Sequence, residues 1–207
     1  MYALINIIPF LDIEKLPRHS GTYILGIISL IIVLVLSVIF RNYVLSLTKL
    51  SNQTIVTDKI RYNITEQIRY VIILLEHKWS VKNITVNFES DEYFITANAE
   101  LLQQLWINIL GNAIKFSPHG SEIYLNICEN NDLLIFTVAD EGKGMSETEA
   151  KHAFDRFFQG DISHKSSGHG IGLAISKKIC ELHKGNIRIK QTDETGTVFE
   201  ITLPSGI

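Results

Sequence analysis

Three short stretches of this chain combine residue types that can do chemistry. In Asp140-Glu141-Gly142-Lys143-Gly144-Met145 a carboxylate and two glycines follow an apolar run, 133–138, that reads as a strand. A carboxylate accepts from an exocyclic amine, and glycines let the backbone approach a flat ring closely, so the pattern suits a nitrogenous base; an ordinary glycine-rich turn has the same composition. The second stretch, Gly168-His169-Gly170-Ile171-Gly172-Leu173, opens a helical pattern, and bare N–H groups at a helix N-terminus favour phosphate. It is not a dinucleotide fingerprint, because Leu173 stands where GxGxxG needs glycine and no strand enters it. It is not a P-loop either, since the chain has no Gly-Lys-Ser/Thr. Third, Asn108, Asn112 and Lys115 are spaced by four and three, which puts them on one helix face. Amide oxygens can bind magnesium and a lysine can neutralise phosphate. A polar surface face closed by a lysine that suits the helix dipole would read the same way.

The elements that must position these residues follow from periodicity. Ile64, Ile68, Val71, Ile72 and Leu75 repeat at helical spacing from the start of a mixed domain at Tyr62. Residues 84–88 and 93–97 read as short strands. Residues 100–116 read as a helix with Leu101, Leu102, Leu105, Ile109 and Leu110 as its apolar face. Ile123, Leu125 and Ile127 alternate, and 129–132 form a turn into the 133–138 strand. Residues 171–183 predict a helix ended by Gly185, and 187–190 with 198–203 predict a last hairpin. Helices on one face of a mostly antiparallel sheet make an α+β fold, a two-layer α/β sandwich.

Composition narrows the class. The 207 residues suit one domain and a modest extra, 46% hydrophobic and 20% charged residues exclude a disordered tail, and a net charge of -3 gives no reason to expect nucleic acid. Two cysteines, Cys128 and Cys180, make neither a disulfide framework nor a zinc cluster. The apolar excess is concentrated in residues 22–40, which carry no charge. At helical rise they span roughly 28 Å, close to the hydrocarbon core of a bilayer, and predict a transmembrane helix. Lys15 and Arg18 precede it, and Arg41, Lys49, Lys59 and Arg61 follow, a bias that puts the C-terminal side in the cytoplasm. The expected organisation is a short arm over 1–21, a single-pass span over 22–40, a helical connector over 41–61 and a catalytic domain over 62–207.

The order WINILGNAIKFS, DEGKGM, FDRFF (154–158), GHGIGLAI resembles the N, G1, F and G2 boxes of sensor histidine kinases, over about residues 62–207. The same Bergerat ATP-binding fold also occurs in a gyrase, a heat-shock chaperone and a mismatch-repair protein. The resemblance implies that Asn112 binds Mg²⁺ with Asn108 assisting, that Lys115 contacts phosphate and that Phe116 lies near the base. It implies that Asp140 accepts from adenine N6, with Gly142, Gly144 and Met145 shaping that pocket. Residues 146–168 become a lid, Gly168, His169, Gly170, Ile171 and Gly172 wrap the phosphates, and Leu173 packs beneath the nucleotide. Many family members carry Arg where this chain has Gln159, which leaves Arg156 or Lys165 as the lid cation.

The family's phosphoacceptor is a histidine followed by Glu or Asp on the first helix of a dimerisation hairpin. None of the seven histidines here, His19, His77, His119, His152, His164, His169 and His183, has an acidic successor. Residues 41–61 are roughly 32 Å long as one helix, enough for one arm of a hairpin, and 45–53 resemble the tail of its second helix. The expectation is therefore a membrane-bound Mg·ATP-dependent kinase domain whose acceptor histidine comes from another chain, with a response regulator as a further partner. The alternative is a catalytically silent, membrane-tethered ATP-binding module.

Overall fold

The computed structural model describes residues 28–31, 33, 34, 37, 58–158 and 170–206. The chain divides into two units, Met1–Ser51 and Asn52–Ile207. In the first, the described residues are helical, and the Ser37 hydroxyl donates to the Leu34 carbonyl at 3.0 Å. Ile28, Leu30, Ile31, Val33 and Leu34 are all exposed. Among the described residues no helix is long and apolar enough to cross a membrane; most of the predicted span, the arm and nearly all of the connector lie outside them.

The second unit runs β1 (Ile60–Asn63), α1 (Ile64–Leu74), α2 (Glu76–Ser80), β2 (Thr85–Phe88), β3 (Phe94–Ala97), α3 (Ala99–Phe116), β4 (Glu122–Asn130), β5 (Leu133–Asp140), α4 (Glu147–His152), α5 (Gly172–Leu182), β6 (Asn186–Asp193) and β7 (Gly196–Pro204). Strands β1 and β3 pair antiparallel as a small separate sheet, while the main sheet has the order β2-β4-β5-β7-β6. Only β2 and β4 run parallel; the other neighbours are antiparallel. The α+β architecture therefore stands, with a mixed sheet. Strand β1 is an addition: its Ile60 and Arg61 belong to the predicted connector, and its pairing with β3 is made across the whole of α1 and β2.

Alternation decides the sheet's inner face. Leu134, Phe136 and Val138 of β5 point to the same side as Ile123, Leu125 and Ile127 of β4 and Phe199, Ile201 and Leu203 of β7, and all are buried. Helix α3 lies against this face with Leu102, Leu105, Trp106, Ile109, Leu110, Ala113 and Ile114 buried, flanked by α1 and α5. The stripe is shifted from the predicted one by trading Leu101 for Trp106, whose ring lies 4.8 Å from Phe136. Asn131 (φ 50°) and Asp132 (φ 62°) make the two-residue β4–β5 turn, where residues that tolerate left-handed backbone are required.

The end of α5 differs from expectation. Lys184, not Gly185, takes the left-handed conformation (φ 56°), and its N–H donates to Glu181 O at 3.0 Å while that of Gly185 donates to Cys180 O at 2.8 Å. This satisfies the free carbonyls of the last turn. Gly185 is needed for a different reason: a Cβ there would sit 2.2 Å from the Thr202 carbonyl oxygen of β7.

Candidate functional site

All three chemically suggestive stretches converge on α3. Its start is fixed by Asn98, whose side chain accepts from Leu101 N–H at 3.0 Å. That sets the helical register and brings Asn108, Asn112 and Lys115 to one face.

At the C-terminal end of α3, strand β5 delivers Asp140. The alternation Leu134, Phe136, Val138, Asp140 puts a carboxylate at the last inward-facing position of an apolar strand. Asp140 is 9% exposed, and its Oδ1 accepts the Gly142 N–H at 2.9 Å. Burial pushes the carboxyl up to about 6, against the bonds from the Gly142 and Thr197 backbones, which favour the ionised form. A buried acceptor of this kind seeks a neutral or positive N–H donor. Gly142 is sterically required, since a Cβ would lie 2.6 Å from Asp140 Oδ1 and 3.1 Å from the Phe116 carbonyl oxygen. Gly144 has φ 66°, and a Cβ there would lie 1.7 Å from the Asp193 carbonyl oxygen. The next N–H, of Met145, donates to Thr192 Oγ1 at 2.9 Å. The half-exposed Phe116 ring lies below two ammonium groups, Lys115 Nζ at 4.8 Å and Lys143 Nζ at 5.8 Å from its centroid.

Midway along α3, Asn108 Nδ2 donates to the Gly172 carbonyl at 3.2 Å and Asn108 Oδ1 accepts from Gln104 Nε2 at 3.0 Å. Asn108 therefore ties α3 to the first residue of α5. Asn112 is one turn on and half-buried, and its side chain makes no hydrogen bond among the described residues. A hard cation takes oxygen ligands. Among the described residues no group of three or more His, Cys, Asp and Glu side chains could hold one; the Asn112 amide oxygen is of the chemical type a Mg²⁺ ion accepts alongside phosphate oxygens and water.

The second glycine stretch enters α5 with no side-chain cap: Ile171 precedes the helix, and its carbonyl accepts the Ile175 N–H at 2.9 Å, but its side chain makes no capping hydrogen bond. Leu173 follows in the first turn, half-buried. Gly170 (φ 64°) accepts the Phe157 N–H at 2.9 Å, which joins the FDRFF stretch to the glycine loop. Phe157 itself has φ 66° and is 64% exposed. Arg156 is exposed and makes no ion pair among the described residues. A Cβ on Gly172 would meet only Asn108 atoms, at 3.7 Å and beyond, so space alone does not demand glycine there. Lys165, Gly168 and His169 lie outside the described residues.

Thr197 was not singled out from sequence. It is 4% exposed, lies opposite Asp140 in the β5–β7 register, and its Oγ1 is 3.1 Å from Thr192 Oγ1. The signal was present: Thr197 occupies the same inward phase as Phe199, Ile201 and Leu203, as Asp140 does in β5.

The description "Histidine kinase-, DNA gyrase B-, and HSP90-like ATPase" fits residues 97–207, which include every site residue named above. The chain belongs to this family. Within it, similar proteins include sensor kinases. The heme sensor protein HssS of Staphylococcus epidermidis is 30% identical over 159 residues, 77% of this chain and 35% of that protein. The sensor protein KdpD of Clostridium acetobutylicum is 38% identical over 123 residues, 58% of this chain and 14% of that protein. Among solved structures, the catalytic domain of histidine kinase ThkA superposes with a TM-score of 0.65 at 28% identity, covering 72% of this chain and 97% of that domain. Full-length ShkA in complex with AMPPNP gives 0.70 at 26% identity, covering 79% of this chain and 34% of ShkA. The chain spans about a third or less of the length of these curated relatives. The second unit is thus a histidine kinase-type ATP-binding domain.

Proposed function

We propose that the chain is a membrane-bound two-component histidine kinase-type protein that donates the γ-phosphoryl group of Mg·ATP to a histidine carried by another chain. The observation that carries this reading is the convergence on α3 of a buried carboxylate (Asp140 with Gly142), an unengaged amide (Asn112), a lysine on the same helix face (Lys115) and the uncapped start of α5.

Bound Mg·ATP supplies an activated phosphoryl group whose charge the metal partly neutralises. The chain's residues bind and orient. Asp140 accepts from the adenine amine, and Gly142 and Gly144 leave room for the ring. Phe116 covers the base. Asn112 presents its amide oxygen to the metal, Lys115 faces phosphate, and the free N–H groups of the α5 N-terminus favour the anion. Arg156 or Lys165 serves as the lid cation. The trans acceptor is supported by the sequence of all seven histidines, none of which precedes an acidic residue. Membrane anchorage through residues 22–40, with the catalytic unit in the cytoplasm, is supported by the uncharged run, the lysine and arginine bias and the exposed side chains of Ile28, Leu30, Ile31, Val33 and Leu34. A response regulator partner is supported by the ThkA relative, solved in complex with the response regulator TrrA.

The test is γ-labelled ATP with Mg²⁺, with and without a purified acceptor hairpin from a related kinase. Acid-labile label on the hairpin is expected. Bound ATP without label favours the silent, tethered ATP-binding module.

A further inference from the structure

Lys82 lies in the loop between α2 and β2, far in sequence from every motif above. Its ammonium donates to three carbonyl oxygens at the end of α3: Ile114 at 2.8 Å, Lys115 at 2.8 Å and Ser117 at 2.9 Å. All three donors of the group are spent on one helix terminus. The last carbonyls of a helix have no partner inside it and carry its negative dipole end, so a cation there is favoured twice. The loop grips the following turn as well: Gly120 N–H donates to Lys82 O at 2.8 Å, and Asn83 Nδ2 lies 3.4 Å from His119 Nε2.

The carbonyl that Lys82 skips is that of Phe116. It is the one that faces the glycine stretch, 3.1 Å from where a Gly142 Cβ would stand. The last turn of α3 is therefore held on one side by Lys82 and abuts the base pocket on the other. Lys115 and Phe116 sit in that turn.

We propose that Lys82 is a positioning residue for the nucleotide site: by clamping the last turn of α3 it fixes Lys115 and Phe116 against Gly142 and the base acceptor. The inference rests on the nucleotide-binding reading above. Without the ammonium, three carbonyls turn to water, the turn frays, and the wall of the pocket loses its place.

The test uses the full chain and calorimetric affinity for Mg·ATP, with thermal midpoints recorded alongside. Lys82→Met keeps the alkyl stem and removes the donors; its affinity is expected to fall roughly tenfold or more, the scale of losing charged hydrogen bonds that hold a binding group. Lys82→Arg, which can still donate to several carbonyls, is expected to stay within about threefold of the parent. In a Phe116→Ala background the loss from Lys82→Met is expected to shrink, because the two act through the same turn. Amide exchange is expected to quicken at Lys115–Ser117 and not in α5. Unchanged affinity in Lys82→Met, or the same loss in both backgrounds, overturns the proposal while the parent still binds ATP. A parent that binds no nucleotide overturns the functional reading itself. If Lys82→Met does not fold, Lys82→Gln takes its place, with an intermediate loss expected and parent affinity overturning the clamp.

Discussion

Helices α3 and α5 lie side by side and treat their ends in opposite ways. Both termini of α3 are satisfied by the protein, through the Asn98 side chain at the start and the Lys82 ammonium at the finish. The C-terminus of α5 is closed equally well, by the Lys184 turn and by His183, whose Nδ1 donates to Ile179 O at 2.8 Å. Its N-terminus has no side-chain cap. A helix that must hold side chains in place is tied at both ends. A helix that must offer backbone N–H groups to a ligand is tied at one. On the function proposed above, the difference separates a positioning helix from an anion-facing one, and the two helices meet at the Asn108–Gly172 hydrogen bond.

The strongest challenge to this comparison is Asn112→Ala. It removes the unengaged amide from α3, and Mg-dependent ATP binding is expected to disappear while circular dichroism and melting stay near the parent's. Undiminished affinity would show that α3 does not face the metal.

Gly144→Ala is expected to be the largest stability lesion, at least several kcal/mol, because left-handed backbone and a collision with the Asp193 carbonyl coincide there. A melting temperature within a few degrees of the parent would contradict the packing described.

Asp140→Asn is expected to cost ~1–3 kcal/mol of ATP affinity, since it leaves a buried polar contact mispaired. It should also narrow the preference for ATP over GTP. The pH dependence has a definite sign. Burial raises the folded carboxyl to about 6 from 3.8, so the folded chain holds this proton where the unfolded chain has released it. Stability contributed by this group therefore falls as pH rises from about 4 through about 6, by on the order of 2–3 kcal/mol in full. Ligand affinity runs the other way: an amine donor prefers the ionised acceptor, so ATP should bind more tightly at pH 7.5 than at pH 5.5. Asp140→Asn should flatten both trends.

Asn98→Ala is expected to have the smallest effect, about 1 kcal/mol of stability from a lost N-cap, with ATP affinity nearly unchanged at temperatures where the protein is folded. A large affinity loss would mean that the start of α3 matters to the site as much as its finish.

Much of this was legible in the sequence because it is local. Helical spacing placed Asn108, Asn112 and Lys115 on one face, alternation found β4, and a continuous apolar run found β5 with Asp140 just past it. What was missed is non-local or conformational. Strand β1 is defined by its pairing with β3, across more than thirty residues of chain. Lys82 reads as one more surface lysine until α3 is folded beneath it. Thr197 is an ordinary strand threonine until the β5–β7 register sets it opposite Asp140. Gly185 was read as the helix stop, yet Lys184 makes the turn, because the steric demand at 185 comes from Thr202.

The two tryptophans extend the contrast into spectroscopy. Trp106 is 1% exposed beside Phe136, with an indole N–H that meets no acceptor among the described residues, so it sits among apolar side chains and should emit at short wavelength. Trp79, on the short helix just before the Lys82 loop, is half-buried and donates its indole N–H to Ile72 O at 3.0 Å. Its emission should lie further to the red and respond to loosening of that corner. One chain thus carries two built-in fluorophores, one reporting on the interior and one on the corner that holds the clamp, and the order in which they shift on heating would show which gives way first.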